Sequence, residues 1–103
     1  MSREDGNPLE IDKIIHEPAR LKIMVQLYAL DEADFIFLMR QTGLTWGNLS
    51  SHMSKLEDAS YLEVTKTFIG KKPHTVLKLT EEGRAAFEQY RRAIDQVLKD
   101  LPK

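Results

Sequence analysis

With 103 residues and no cysteine, the chain has room for one small domain and cannot form a disulfide, a thiolate metal site or a thiol redox sensor. Hydrophobic residues make up 42% and charged residues 30%, an ordinary globular balance, and no apolar run approaches the roughly 18 residues that a membrane span requires. With the polar start M-S-R-E-D-G-N-P, these features predict a cytoplasmic protein with no membrane partner.

The net charge of −1 speaks against a polyanionic partner only as an average. Its distribution is uneven. Phe35 to Leu56 contains no acid, only Arg40 and Lys55, and Val64 to Thr80 contains Lys66, Lys71, Lys72 and Lys78, again without an acid. The acids gather at residues 4–17, at Asp31, Glu32 and Asp34, at Glu57 and Asp58, and in the last quarter of the chain.

Taken in order, residues 1–8 carry no periodicity and read as a mobile tail before a single domain at 9–103. Leu9, Ile11, Ile14 and Ile15 suggest a short amphipathic helix. Pro18 suits the first turn of a longer helix ending near Leu30, apolar on two faces and so expected in the middle of the domain. Asp31 to Asp34 reads as a turn, with Asp34 capping a two-turn helix over Phe35–Thr42. Gly43 can end that helix in the left-handed conformation, and Thr45 can cap the next, which runs to Ala59. Helix, glycine turn, helix is a helix-turn-helix pattern, here about 34–59. Leu62, Val64 and Phe68 alternate as half-buried strand positions, as do Thr75, Leu77 and Leu79. A turn bracketed by Gly70 and Pro73 carries Lys71 and Lys72 between them, so 61–80 reads as a hairpin with a basic tip. Thr80 caps a final helix over about 81–101, with Glu81 and Glu82 in its first turn. Phe87, Tyr90, Ile94, Val97 and Leu101 fall on one heptad-like seam of that helix.

The predicted fold is therefore mostly α with a small antiparallel β-hairpin, in the order of a winged helix-turn-helix. At this level the chain resembles the small winged-helix regulators of the MarR and ArsR type, and in particular short MarR-like single-domain proteins of archaea and bacteria. The resemblance covers about residues 10–92. It is carried by H-E-P-A-R-L-K-I-M at 16–24, L-T-W-G-N-L-S-S-H-M-S-K-L-E at 44–57, Y-L-E-V at 61–64 and L-T-E-E-G-R-A-A-F at 79–87. It implies a homodimer built by N- and C-terminal helices, with two recognition helices in successive major grooves and the hairpins along the flanking backbone. By position it puts Trp46, Gly47, Asn48, Ser50, Ser51 and Ser54 at the DNA. It also marks a departure: Ser60 stands where these proteins usually have glycine, and a left-handed serine is strained.

The residue types support a nucleic-acid reading. Within Thr45–Ala59, Leu49, Met53 and Leu56 form the apolar stripe, with His52 packing on its flank. The opposite face holds Gly47, Ser50, Ser51 and Ser54, edged by Asn48 and Lys55. Asn48 suits paired hydrogen bonds to adenine, serine hydroxyls suit bases or phosphates, and the helix end capped by Thr45 favours an anion. A serine-rich solvent face is the plain alternative, and Trp46 is equally a core anchor or a contact. Lys71 and Lys72 would neutralise phosphates, and His74 would add a contact when protonated.

Of the seam, Phe87 and Tyr90 lie near the helix start and can pack internally. Ile94, Val97 and Leu101, with Leu98 beside them, run too far to be covered by so short a chain. The dimer interface is thus expected at Tyr90, Ile94, Val97, Leu98 and Leu101, in a two-fold arrangement that matches a palindromic operator. Enzymatic chemistry finds no support: no cysteine nucleophile, no glycine-rich phosphate loop and no H-E-x-x-H. His16, His52 and His74 are too scattered for metal ligands, and no cofactor is implied. A small-molecule effector would have a place between the central helix and the dimer helices, though no residue calls for one. The expected function is a homodimeric, sequence-specific regulator of transcription, a repressor by family tendency. The alternative is a winged-helix module whose serine face docks a protein.

Overall fold

The computed structural model describes residues 10–102, so the tail expected at 1–8 and the contribution of Leu9 lie outside the described residues. In chain order the elements are α1 (Pro18–Leu30), β1 (Glu32–Asp34), α2 (Phe35–Thr42), α3 (Trp46–Asp58), β2 (Leu62–Ile69), β3 (Lys72–Leu79) and α4 (Glu81–Lys99). The strands form one antiparallel sheet in the order β1-β3-β2. This is the winged helix-turn-helix architecture, mostly helical with a small sheet, and among the described residues no helix is long and apolar enough to cross a membrane.

Local chemistry sets each boundary. Glu17 caps α1 by accepting from the Arg20 N–H at 2.8 Å, which holds its carboxyl below the ordinary value of 4.5. Asp34 caps α2 through the Phe37 N–H at 2.8 Å, and Gly43 ends α2 in the left-handed conformation with φ 74°. Thr80 caps α4 by accepting from Gly83. Ile15, Ile23, Met24, Leu27, Leu38, Leu49, Leu56 and Leu77 are fully buried and tie α1, α2, α3 and the sheet into one core. α1 is central, as its apolar content predicts, and touches the other helices and the sheet; Val25 and Leu30 nonetheless remain exposed on its outer side.

Four expectations are corrected. Residues 10–17 do not form a helix: Asp12 closes a single turn, its carboxylate accepting from the Ile14 and Ile15 N–H groups, before Pro18 restarts the chain. Glu32 to Asp34 is not part of a turn but a strand, paired with Val76–Lys78 of β3. Only Asp31 turns, at φ 72°, and Arg84 of α4 holds its carboxylate at 3.0 Å. The hairpin turn is Gly70-Lys71 alone, because Lys72 and Pro73 already pair with Ile69 and Phe68. Glycine first in a two-residue loop, with φ 65°, suits the strand twist. Finally, α4 stops at Lys99, leaving Leu101 beyond the helix.

The junction of α3, β2 and α4 depends on three residues. Ser60 is left-handed, φ 68°, and closes α3 in the manner a glycine usually serves: its N–H donates to Glu57 O and the Tyr61 N–H donates to Leu56 O. The strain expected of a serine there is thus present. Thr80 donates its hydroxyl to Ser60 O at 2.7 Å. Gly83 lies against this junction so closely that a Cβ would stand 2.2 Å from Tyr61 O. Tyr61 in turn donates its hydroxyl to Asp12; burial, and then this bond, raise its pKa and keep the proton in place.

Candidate nucleic-acid interface

α3 is held from behind and bare in front. Leu49, Met53 and Leu56 anchor it to the core. On its flank, Arg20 lies 3.1 Å from His52 Nδ1, and Glu17 lies 3.8 Å from the same nitrogen. Thr42, buried, donates to Leu38 O and accepts from the Leu44 N–H, which fixes the turn between α2 and α3. Rotation of α3 about its axis is therefore resisted at both ends and on one side.

The bare face consists of Thr45, Trp46, Gly47, Asn48, Ser51, Ser54 and Lys55, all exposed, with Ser50 half-buried at its margin. Thr45 Oγ1 accepts from the Asn48 N–H at 3.2 Å, leaving other first-turn N–H groups free for an anion. A Cβ at Gly47 would meet nothing within 4 Å. Among the described residues nothing packs where a side chain would stand, and alanine would favour the helix.

Trp46 is both packed and exposed. Its ring meets buried Phe35 at 4.6 Å between centroids, yet the residue is 62% exposed. It braces the start of α3 with one face and offers the rest outward. Beside it lie Pro73, His74 and Thr75 of β3, so the wing base and the start of α3 share one surface. His74 is half-buried opposite Thr67 and stands behind the wing tip, not on it. Lys71 and Lys72 are exposed at the tip as expected.

The expected dimer seam divides. Tyr90 is only 6% exposed, and its hydroxyl is hydrogen-bonded to His16 Nδ1 at 2.9 Å, so it belongs to this chain's own core. Ile94 is half-buried, while Val97, Leu98 and Leu101 are exposed. Between α1 and α4 lies a groove of about 660 Å³, open to solvent, with Tyr28 on one side and Glu88, Arg91, Ile94 and Leu98 on the other. Arg84 and Arg91 stack over the Tyr28 ring, a feature the apolar periodicity of α1 does not reveal. Among the described residues no group of three His, Cys, Asp or Glu side chains could hold a metal ion.

A helix presented in this way beside a two-stranded wing has known counterparts. Residues 19–98 match a family described as a winged helix DNA-binding domain. The chain belongs to that family. The winged-helix chain is also 37% identical over 89 residues to an uncharacterized protein of Methanocaldococcus jannaschii, covering 86% of this chain and 97% of that one. It is similar to the solved structure of a transcriptional regulator homologue protein from Pyrococcus horikoshii OT3. There the TM-score is 0.79 and the identity 31%, over 85% of this chain and 89% of the other. At 22% identity and a TM-score of 0.63, over 84% of this chain, it shares its fold with 63% of the chain of NadR, solved in complex with 4-hydroxyphenylacetate. The family description names DNA binding, and one of the similar structures is named a transcriptional regulator homologue.

Proposed function

We propose that this winged-helix protein is a homodimeric, sequence-specific regulator of transcription, of the MarR/ArsR type, that represses by reading a palindromic operator in double-stranded DNA. The observation that carries the reading is the unoccupied face of α3. Gly47 has open space before it, and Asn48, Ser51, Ser54 and Lys55 are exposed on a helix locked at its back. Such a face suits base edges in the major groove, where asparagine reads adenine and serine serves either bases or phosphates. α3 itself supplies one cation, Lys55. Most of the attraction to phosphate then comes from Lys66, Lys71 and Lys72 on the wing and from their doubling in a dimer. The exposed end of α4 supports that dimer, since Val97, Leu98 and Leu101 are exposed among the described residues. Two copies related by a two-fold axis would set half-sites about one helical turn, roughly 34–36 Å, apart.

Selection of bound duplexes from a random pool with the purified protein tests this directly. An enriched palindrome supports the reading. The absence of enrichment overturns it in favour of a protein-docking module. In the selected duplex, replacing Lys71 and Lys72 by alanine together should reduce the salt slope of binding by about 4, since each of the two protomers loses two lysines and each lysine neutralises one phosphate.

A further inference from the structure

The wing tip carries a residue that phosphate binding leaves unexplained. Phe68 is 68% exposed, although the alternation of β2 puts it on the same face as buried Leu62 and half-buried Val64. The pairing of β2 with β3 runs without a break from Leu62↔Leu79 to Ile69↔Lys72, so the alternation holds to the tip. Phe68 is bare because the hairpin overshoots the sheet: β1 pairs only with residues 76–78. Although Pro73 and Thr75 of β3 lie near Phe35 and Trp46, the end of β2 extends clear of them and leaves Phe68 68% exposed. The four residue steps from Val76 to Lys72 carry the tip about 13 Å past that edge. An aromatic side chain held out on a two-stranded arm is a standing liability for association unless it has a partner.

The surroundings select the partner. Lys66 shares the face of Phe68, Lys71 lies in the turn beyond it, Lys72 stands opposite Ile69 on the other face, and the nearest acids in the sequence are Glu63 and Glu81. Pro73, directly across from Phe68, takes a backbone donor out of the open edge of β3 and, with the lysines, discourages pairing with another sheet. What remains is an apolar ring within a cationic rim. Duplex DNA presents the complement, apolar base faces beneath two rows of phosphate. Its minor groove, about 6 Å wide, admits a side chain but not a ribbon. Phe68 also lies on the face of the sheet against which α3 packs, whereas Ile69, 64% exposed, lies on the opposite face.

We infer that Phe68 is an apolar wedge: with α3 in the major groove, it enters the flanking minor groove and partly unstacks one base step, bending the duplex away from the wing. The inference rests on the DNA reading above and adds to it a deformation that makes flexible pyrimidine–purine steps preferred at positions no hydrogen bond reads. Two wedges per dimer would place one kink at each end of the operator.

The test uses the duplex enriched in the selection, with 2-aminopurine replacing each flanking adenine in turn. The wild-type protein should raise the fluorescence several-fold at one step in each flank. Phe68→Ala should abolish that rise, weaken binding about tenfold and leave the salt slope unchanged, because the same phosphates remain neutralised. Phe68→Leu should restore most of the signal, and Ile69→Ala should change little. Binding by the wild type without any unstacking overturns the wedge while leaving DNA binding intact. Equal effects of Phe68→Ala and Ile69→Ala overturn it as well, since a general apolar contact would not distinguish the two faces. If Phe68→Ala instead abolishes dimers in sedimentation, the residue serves self-association and the inference fails. A pool without enrichment removes the DNA reading, and the wedge with it.

Discussion

Two arms leave the body of this protein, the wing and the far half of α4, and each is buried at its base and bare at its end. At the base of the wing, Leu62, Leu77 and Leu79 are core residues; at its end, Phe68 and Ile69 are open to solvent. At the base of α4, Gly83, Phe87, Tyr90 and Ala93 are buried; at its end, Val97, Leu98 and Leu101 are open. The ends differ in charge. The wing tip is purely cationic, whereas the end of α4 mixes both signs, with Lys99 bonded to Asp95 at 3.2 Å. An apolar end among cations suits a polyanion. An apolar seam among balanced charges suits a copy of itself. The bases supply stability and the ends are the surfaces proposed for partners, so substitutions at the two places should fail in different ways.

The largest effect is expected at the base of α4. Gly83→Ala drives a methyl group into Tyr61 O, where backbone and not a flexible side chain must yield. A loss of about 3 kcal/mol is expected, lowering the thermal midpoint by more than about 10 °C. An unchanged midpoint would mean that the junction with α3 and β2 is looser than its contacts indicate. At the end of the same helix the opposite pattern is expected. Val97→Glu with Leu98→Glu should leave the fold intact by circular dichroism and raise the dimer dissociation constant at least about 100-fold, or ~3 kcal/mol, in sedimentation. A persistent dimer would move the interface elsewhere and end the contrast between the arms.

Two smaller effects sharpen it. Ser60→Gly at the base of the wing relieves a left-handed serine and should add about 1 kcal/mol in denaturant melts, with binding unaffected. Gly47→Ala on the bare face of α3 should also stabilise the fold, by about 0.5–1 kcal/mol, because glycine is a poor helix former. Here binding to the selected duplex should fall as stability rises, since the added methyl stands where a close partner approaches. A gain in stability with unchanged affinity would return Gly47 to an ordinary surface position.

Much of the frame is legible in the residues themselves. Asp34, Gly43, Thr45 and Thr80 announce their helix boundaries, because capping is a local exchange between a side chain and the next few N–H groups. Leu49, Met53 and Leu56 announce the buried side of α3, and Ser60 its strained end. β1 is not legible. Glu32-Ala33-Asp34 has no strand propensity, and it is extended because β3 offers it a free edge. Nor is the single turn at residues 13–15. Ile11, Ile14 and Ile15 have helical spacing, but the Asp12 side chain outcompetes the helix for the same N–H groups.

For the candidate interface, residue type determined the polar, small-residue character of α3 and the cations of the wing, since both depend only on what the chain carries. Exposure was decided by the tertiary structure. Tyr90 and Phe68 both stand at apolar positions of a regular pattern, yet one is buried beneath His16 and the other stands free. Periodicity says which residues share a face; only the assembled fold says where that face runs out of body to cover it.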